Sequence, residues 1–356
     1  MDKGKGVQLE GHKLMYHVTE VADWLKGGTP APIYIEIGPI NSCNHKCSFC
    51  ALDYLKSKGS MIKKDVLISN LKDMADFGVK AVMFGGEGEP LMHPALPEII
   101  SKARGFGLDI SLTTNGVLLT PDKAKDILKD MAWIKFSIDA GTKERYAKVH
   151  GTREDDFPKL MANIEFAVKH KRDDGLDCRI GCQLLLINDN IDEAETLVKT
   201  LKGFGVDYLV LKPYSQHPDS INKQVFDIQK YDALLADIAD KYSDDVFKVI
   251  YRRLSAQEVD AKIEYERCYG INFFALIDAL GNIIPCNIFY EKEDYYYGNI
   301  NERPFSRIWT GEQRKSVVSK LSEEGCESCR KACRMNFVNK YLETVKNKSK
   351  EHINFI

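Results

Sequence analysis

The chain has 356 residues, 44% of them apolar and 29% charged, with 50 basic side chains against 52 acidic ones. That balance gives no sign of a nucleic-acid-binding or membrane-binding surface, and no window approaches the ~20 apolar residues of a membrane span. The length suits a barrel with an appendage, and the polar start Met1 to Gly11 lacks the apolar stretch of a signal peptide, so a cytoplasmic protein is expected.

Residues 12–27 read as a short amphipathic helix ended by Gly27-Gly28, with Pro30 and Pro32 beyond. Apolar, β-rich runs then recur at Ile33–Ile37, Ala81–Phe84, Ile110–Thr114, Ile134–Ile138, Ile180–Ile187 and Tyr208–Lys212. Helical patterns separate them, such as Leu67, Leu71 and Met74, or Ala194, Leu197-Val198 and Leu201. Thr120-Pro121 reads as an N-cap with proline at the first helical position, and glycines at 78, 107, 175 and 205 read as helix ends. Six strands alternating with helices over roughly 180 residues imply a parallel sheet with right-handed crossovers. Periodicity alone leaves an open doubly wound sheet and a partial barrel as alternatives, and in both the site lies at the carboxyl ends of the strands. Polar or glycine-rich residues do follow each strand, as in Gly85-Gly86-Glu87-Gly88-Glu89-Pro90, Thr114-Asn115-Gly116 and Ser137-Ile138-Asp139.

Ten cysteines in a cytoplasmic chain call for a reason other than disulfides. Eight fall in two clusters, which favours metal ligation; Cys178 and Cys182, four apart on one strand face, read as buried core thiols. The first cluster, Cys43-x3-Cys47-x2-Cys50, follows the first strand. Three thiolates are one too few for a closed tetrahedral site or an all-cysteine cluster, so the spacing suggests an iron–sulfur cluster with one iron left open. A structural zinc loop and core cysteines are the alternatives.

With Phe49 just before the last cysteine, this stretch resembles the signature of the radical SAM superfamily. The resemblance implies a partial (β/α)6 TIM-like barrel whose first loop carries a [4Fe-4S] cluster, with S-adenosylmethionine (SAM) chelated at its open iron and cleaved to a 5′-deoxyadenosyl radical. Gly86, Gly88, Glu89 and Pro90 match the family's Gly-Glu-Pro motif, which holds the amino group of SAM. Thr114, Asn115, Ser137 and Asp139 match stretches that line its methionyl and ribose region. His93 reads as a surface or capping histidine.

Residues 218–265 read as a bridge, with a helix from Gln224 to Tyr242, an extended run Val246–Leu254 and a helix from Gln257 to Tyr265. Arg252 and Arg253 there are either surface groups or contacts to a substrate or SAM carboxylate. A hairpin then lies between Cys268 and Cys286, and Cys326-x2-Cys329-x3-Cys333 follows a helical stretch at Phe305–Trp309. This pattern resembles the SPASM/twitch extension of radical SAM enzymes, in its shorter version: one auxiliary [4Fe-4S] cluster on Cys268, Cys286, Cys326 and Cys329, with Cys333 as a replacement or a free thiol. A zinc ribbon is the alternative. The expected organisation is an N-terminal helix and linker (1–31), the barrel (32–217), the bridge (218–265), a small α+β auxiliary domain (266–336) and a C-terminal helix (337–356).

The expected chemistry is hydrogen abstraction from a small hydroxylated substrate such as a sugar, aminocyclitol or nucleotide-sugar, ending in dehydrogenation or epimerisation. A flavodoxin- or ferredoxin-type protein is the expected electron donor. Modification of a ribosomal peptide competes; only 42 residues precede Cys43, which favours the small molecule. A non-catalytic iron–sulfur or zinc scaffold would leave the glycine loop and Asn115-Gly116 without purpose. No residue is singled out as the acid, base or hydrogen donor.

Overall fold

A computed structural model describes residues 12–56, 59–259, 261–327, 329–347 and 353–354. The polar start and most of the last nine residues, for which a polar terminus and an apolar helix end were expected, lie outside the described residues. The chain opens with α1 (Val18–Leu25). Strands and helices then alternate as β1 (Tyr34–Ile37), α2 (Lys64–Phe77), β2 (Ala81–Phe84), α3 (Leu96–Gly105), β3 (Asp109–Thr114), α4 (Pro121–Leu128) and β4 (Trp133–Ser137). Two helices, α5 (Lys143–His150) and α6 (Asp156–Asp173), precede β5 (Arg179–Leu186); α7 (Ala194–Phe204), β6 (Tyr208–Pro213), α8 (Asp232–Tyr242), β7 (Lys248–Tyr251) and α9 (Arg253–Gln257) follow. The C-terminal part holds β8 (Phe274–Ile277), β9 (Asn282–Ile284), β10 (Gly298–Asn299), α10 (Phe305–Trp309), α11 (Glu312–Glu324) and α12 (Asn336–Asn347).

The ten strands among the described residues form one sheet in the order β10-β9-β8-β1-β2-β3-β4-β5-β6-β7. Strands β1 to β7 are parallel to their neighbours, as crossover helices require. The strands are covered on both sides, but by different surroundings. Ile35, Ile37, Ile110, Leu112, Ile134 and Phe136 are fully buried in the same core as Leu67, Leu71, Ile99 and Ile127 of the helices. The alternate residues Tyr34, Met83, Thr113, Lys135, Gln183 and Lys212 line one cavity of about 480 Å³. Six strands can reach a cavity that small only if the sheet curls around it, which makes the architecture a partial barrel rather than a flat doubly wound sheet.

The hairpin expected between Cys268 and Cys286 is present and continues the barrel sheet: β8 pairs in parallel with β1, in the register Tyr34↔Phe274 to Ile37↔Ile277, and β9 pairs antiparallel with β8. The following helix α10 is fastened to α2, where Asn70 donates to Ile300 O (3.2 Å) and accepts from Phe305 N (2.9 Å). The bridge also joins the sheet, as β7 beside β6, and its second helix is α9 rather than 257–265. Lys340 of α12 pairs with Glu258 (2.9 Å) and Glu264 (3.0 Å) at either end of that stretch, and Tyr265 is buried. These anchors hold the stretch across α12, where a free amphipathic helix would have been only marginal. No helix among the described residues is long and apolar enough to cross a membrane.

Candidate functional site

The loop after β1 carries Cys43, Cys47 and Cys50, and the end of α5 holds it in place. Lys46 N donates to His150 O and Ser48 N to Val149 O, both at 2.9 Å, so last-turn carbonyls that have no partner within the helix find one in the loop. Gly151 follows in a left-handed conformation (φ 56°), and a Cβ there would stand 2.3 Å from Lys46 O. The loop makes one turn, with Cys50 N donating to Cys47 O at 3.1 Å. Burial drives the Cys47 thiol well above the usual range, and the neighbouring charges of Cys50, Asp139 and Cys43 push the same way. The three sulfurs therefore bear on one another, and a bound cation would relieve the strain of ionising them.

Two histidines stand behind the loop. His150 Nε2 lies 2.7 Å from Ile138 O, which makes it the N–H, and leaves Nδ1 as acceptor 3.2 Å from Cys47 Sγ. Burial, aided by His45, lowers His150 to about 3. Ligand atoms of His45, Cys47 and His150 lie within 4.8 Å of one another. A mixed imidazole–thiolate site, with Nδ1 of His150 turned to the metal while Nε2 holds Ile138 O, is thus a geometric alternative, but three soft thiolates suit iron–sulfur better. Phe49 meets the His150 ring edge-on, with centroids 5.4 Å apart.

The glycine loop after β2 presses onto the cysteine loop. At Gly88 a Cβ would sit 2.3 Å from Ile40 O and 2.6 Å from Ser42 O, so no larger residue fits, and Glu89 N donates to Ser42 O at 2.9 Å. Glu89, matched above to the amino group of SAM, is buried with its carboxylate turned inward. It accepts from Thr114 Oγ1 (2.6 Å), Asn115 N (2.8 Å) and Leu91 N (3.0 Å). Asn115 in turn donates to Asn44 Oδ1 at 2.8 Å, so the cysteine loop is tied to the ends of β2, β3 and α5 together. Asp139, expected beside the ribose, is likewise internal: Oδ1 accepts from Leu185 N at 2.5 Å, and burial raises its pKa to about 7. Gly86 lines the cavity; Pro90 is buried and Ser137 half-buried. His93 is buried rather than on the surface, its Nε2 2.9 Å from Ile62 O and its Nδ1 accepting from Ala95 N. Cys178 and Cys182 are buried thiols, as read from the sequence.

The second cysteine set converges from four places: before β8, after β9, after α11 and before α12. Cys333, set apart above as the leftover, bears by its charge on Cys268, Cys286 and Cys326 just as Cys329 does, and Cys329 bears on Cys333 too. Backbone and side-chain amides point at these sulfurs: Met335 N donates to Cys333 Sγ and Asn339 Nδ2 to Cys268 Sγ, both at 3.4 Å. Cys326 and Cys329 hydrogen-bond each other, raising one thiol and lowering the other. Five thiols with amide donors around them fit an iron–sulfur cluster with room for a choice of ligand.

Cys50 from the first set and Cys286 and Cys333 from the second all reach the 480 Å³ cavity. Charged groups that sequence reading missed also line it: Glu36, Lys135, Lys212, Arg330 and Arg334. Arg334 forms an ion pair with Glu36. Burial, then the neighbouring lysine and arginines, holds Lys212 well below the ordinary lysine range, and burial, then Arg334, lowers Lys135 from 10.5 to about 8. A lysine whose pKa falls on folding costs most below its folded value, and the cost fades as pH rises from 8 to 10.5. Lys135→Met is therefore expected to stabilise the chain by ~1–2 kcal/mol below pH 8, with the gain shrinking towards pH 10.5. Thermal unfolding followed at both ends of that range checks it.

Known proteins resemble the chain in the same two parts. A family model described as the radical SAM superfamily matches residues 37–201, and one described as SPASM, an iron-sulfur cluster-binding domain, matches residues 268–334. The tungsten-containing aldehyde ferredoxin oxidoreductase cofactor-modifying protein of Pyrococcus furiosus is 24% identical over 85% of this chain and 88% of its own length. A probable GTP 3′,8-cyclase of Metallosphaera sedula is 33% identical over 52% of this chain, which spans only 56% of that relative. Among solved structures, Streptococcus suis SuiB bound to S-adenosylmethionine superposes with a TM-score of 0.66 at 19% identity, covering 94% of this chain and 79% of that one. Native anSMEcpe with bound AdoMet gives 0.60 at 18%, covering 90% and 100%. At such identities the structures speak for the fold.

Proposed function

A radical SAM domain followed by a SPASM domain places this chain among the SPASM-bearing radical SAM enzymes, and we propose that it removes a hydrogen atom from a small molecule held in the cavity both cysteine sets reach. That shared cavity carries the reading. When bound, a [4Fe-4S] cluster with SAM supplies a 5′-deoxyadenosyl radical as the abstracting species. Cys43, Cys47 and Cys50 are the residues to hold that cluster, and the backbone at Gly86 and Gly88, with Phe49 and Ser137, the nearest surroundings for SAM. Glu89, Pro90, Thr114, Asn115 and Asp139 act one step back, by fixing the loops. Cys268, Cys286, Cys326 and Cys329 are assigned to one auxiliary cluster, and Cys333 competes with them on equal terms because it bears on the same thiols. Arg330 and Arg334 favour the Cys333 thiolate. Phe274, Leu276, Met83 and Trp133 supply apolar wall that keeps water from the reacting centre.

A cavity of about 480 Å³ has the size of a small-molecule site. A relative that aligns over 85% of the chain is named for modifying a cofactor, which supports the same choice. The sugar or aminocyclitol expected from the sequence gains nothing from the relatives' names. After the hydrogen atom is taken, the substrate radical continues in one of two ways: it loses one proton and one electron, the electron passing to the cluster assigned to the auxiliary cysteines, or it takes a hydrogen atom from a thiol such as Cys333, whose sulfur radical a flavodoxin- or ferredoxin-type reductant and a proton return to the thiol. The test is anaerobic reconstitution with iron and sulfide followed by SAM and dithionite. About eight irons per chain and formation of 5′-deoxyadenosine are expected; no 5′-deoxyadenosine from an iron-loaded chain would remove the reading.

A further inference from the structure

Among the described residues, five cationic side chains reach the cavity, Lys135, Lys212, Arg252, Arg330 and Arg334, against the single carboxylate of Glu36. Arg334 pairs with Glu36, and Arg330 donates to Ser215 Oγ (3.1 Å) and to Ser215 O. Both also lie beside Cys333, where they offset the charge of the auxiliary thiolates. The other three stand on the far arc of the sheet. Lys135 is on β4, Lys212 on β6, and Arg252 directly follows β7, its backbone N–H bonded to Leu211 O at 3.1 Å. Gln183 of β5, between β4 and β6, adds a neutral amide to the same wall. Neither lysine forms an ion pair among the described residues; after burial, the charge of Lys135 depresses Lys212, and those of Arg334 and Arg252 depress Lys135.

Like charges gathered in a low-dielectric cavity cost stability unless something of opposite sign fills it. SAM cannot do so: its carboxylate is outweighed by its ammonium and sulfonium. A neutral substrate would leave Lys135 and Lys212 with no opposite charge but those of the buried Glu36 and Asp139. We infer that the small molecule this cavity accepts carries a dianionic group, phosphoryl or paired carboxylates, gripped by Lys135, Lys212 and Arg252. The inference rests on the cavity being the substrate site. It deepens that reading by naming the chemistry of the substrate's non-reacting end, which would fix the C–H bond to be broken. Lysines are compact point charges that suit phosphate oxygens, and the arginine fork suits either anion.

The test is calorimetric titration of the reconstituted protein, at low salt and without SAM or reductant, with inorganic pyrophosphate and separately with citrate. Saturable binding of at least one anion is expected, at least about tenfold weaker in Lys135→Met and in Lys212→Met and unchanged in Lys230→Met, a lysine on the outer surface. Arg252→Gln, which keeps hydrogen-bonding capacity, gives a third cavity variant should either methionine variant fail to fold. Pyrophosphate alone would identify a phosphoryl group, and citrate alone carboxylates. Absence of saturation by either anion at millimolar concentration, or wild-type binding in the cavity variants, overturns the inference. Because the titration needs no turnover, the two readings fail separately. Lost anion binding with intact SAM cleavage sinks only this one; intact binding without SAM cleavage sinks only the radical chemistry.

Discussion

Replacing Cys43, Cys47 and Cys50 together by alanine is expected to reduce 5′-deoxyadenosine formation to the level of a protein-free control, while iron falls from about eight to about four per chain. The reason is local. The loop's conformation does not depend on its thiols: Lys46 N, Ser48 N and Glu89 N supply its backbone ties, and Asn115 grips Asn44. The fold and the auxiliary cysteines should therefore survive the change, with an unaltered circular dichroism spectrum. His45 and His150 offer no rescue, because two imidazoles behind the loop are too few to replace three thiolates on a four-iron cluster. Iron determination and product analysis on the same preparation decide the matter. A triple variant that still made 5′-deoxyadenosine would leave the thiolates without the role assigned to them.

Much of this site could be read along the chain because its parts follow strand ends. A parallel sheet puts every carboxyl end on one rim, so a cysteine loop after β1 and a glycine loop after β2 must meet, and they do, at Gly88 and Ser42. The position of β8 had no local signal. Its pairing with β1 joins residues some 240 apart in sequence, from Tyr34↔Phe274 on, and only that pairing brings Cys286 and Cys333 to the cavity. Lys135 and Lys212 did leave a trace, a lysine inside the apolar runs Trp133–Ser137 and Tyr208–Pro213. Period-two alternation shows that such a lysine faces away from its buried neighbours, but not whether that side is solvent or the barrel interior. Glu89 and Asp139 were legible as loop residues; which way their carboxylates turn depends on donors that other loops supply, Asn115 N and Leu185 N.

Glu89→Ala carries the largest expected loss of stability, and it tests the clamp rather than the cluster. The carboxylate is 2% exposed and takes three donors, Thr114 Oγ1, Asn115 N and Leu91 N. Burial raises its pKa while those bonds and Lys123 pull it down, so the site is built around an acceptor. Alanine would leave three buried donors facing an empty space, a loss of ~3–5 kcal/mol by analogy with breaking a buried charged network. Glu89→Gln keeps one acceptor oxygen but turns an NH2 toward a donor, and should cost less, ~1–3 kcal/mol. Denaturant titration ranks the two. The functional consequence separates positioning from ligation. None of the cysteines is touched, so iron should stay near eight per chain, whereas 5′-deoxyadenosine formation should drop at least about tenfold as the glycine loop and Asn115 lose register. Retained iron with undiminished SAM cleavage would mean that the cysteine loop keeps its place without the clamp, through the α5 contacts alone.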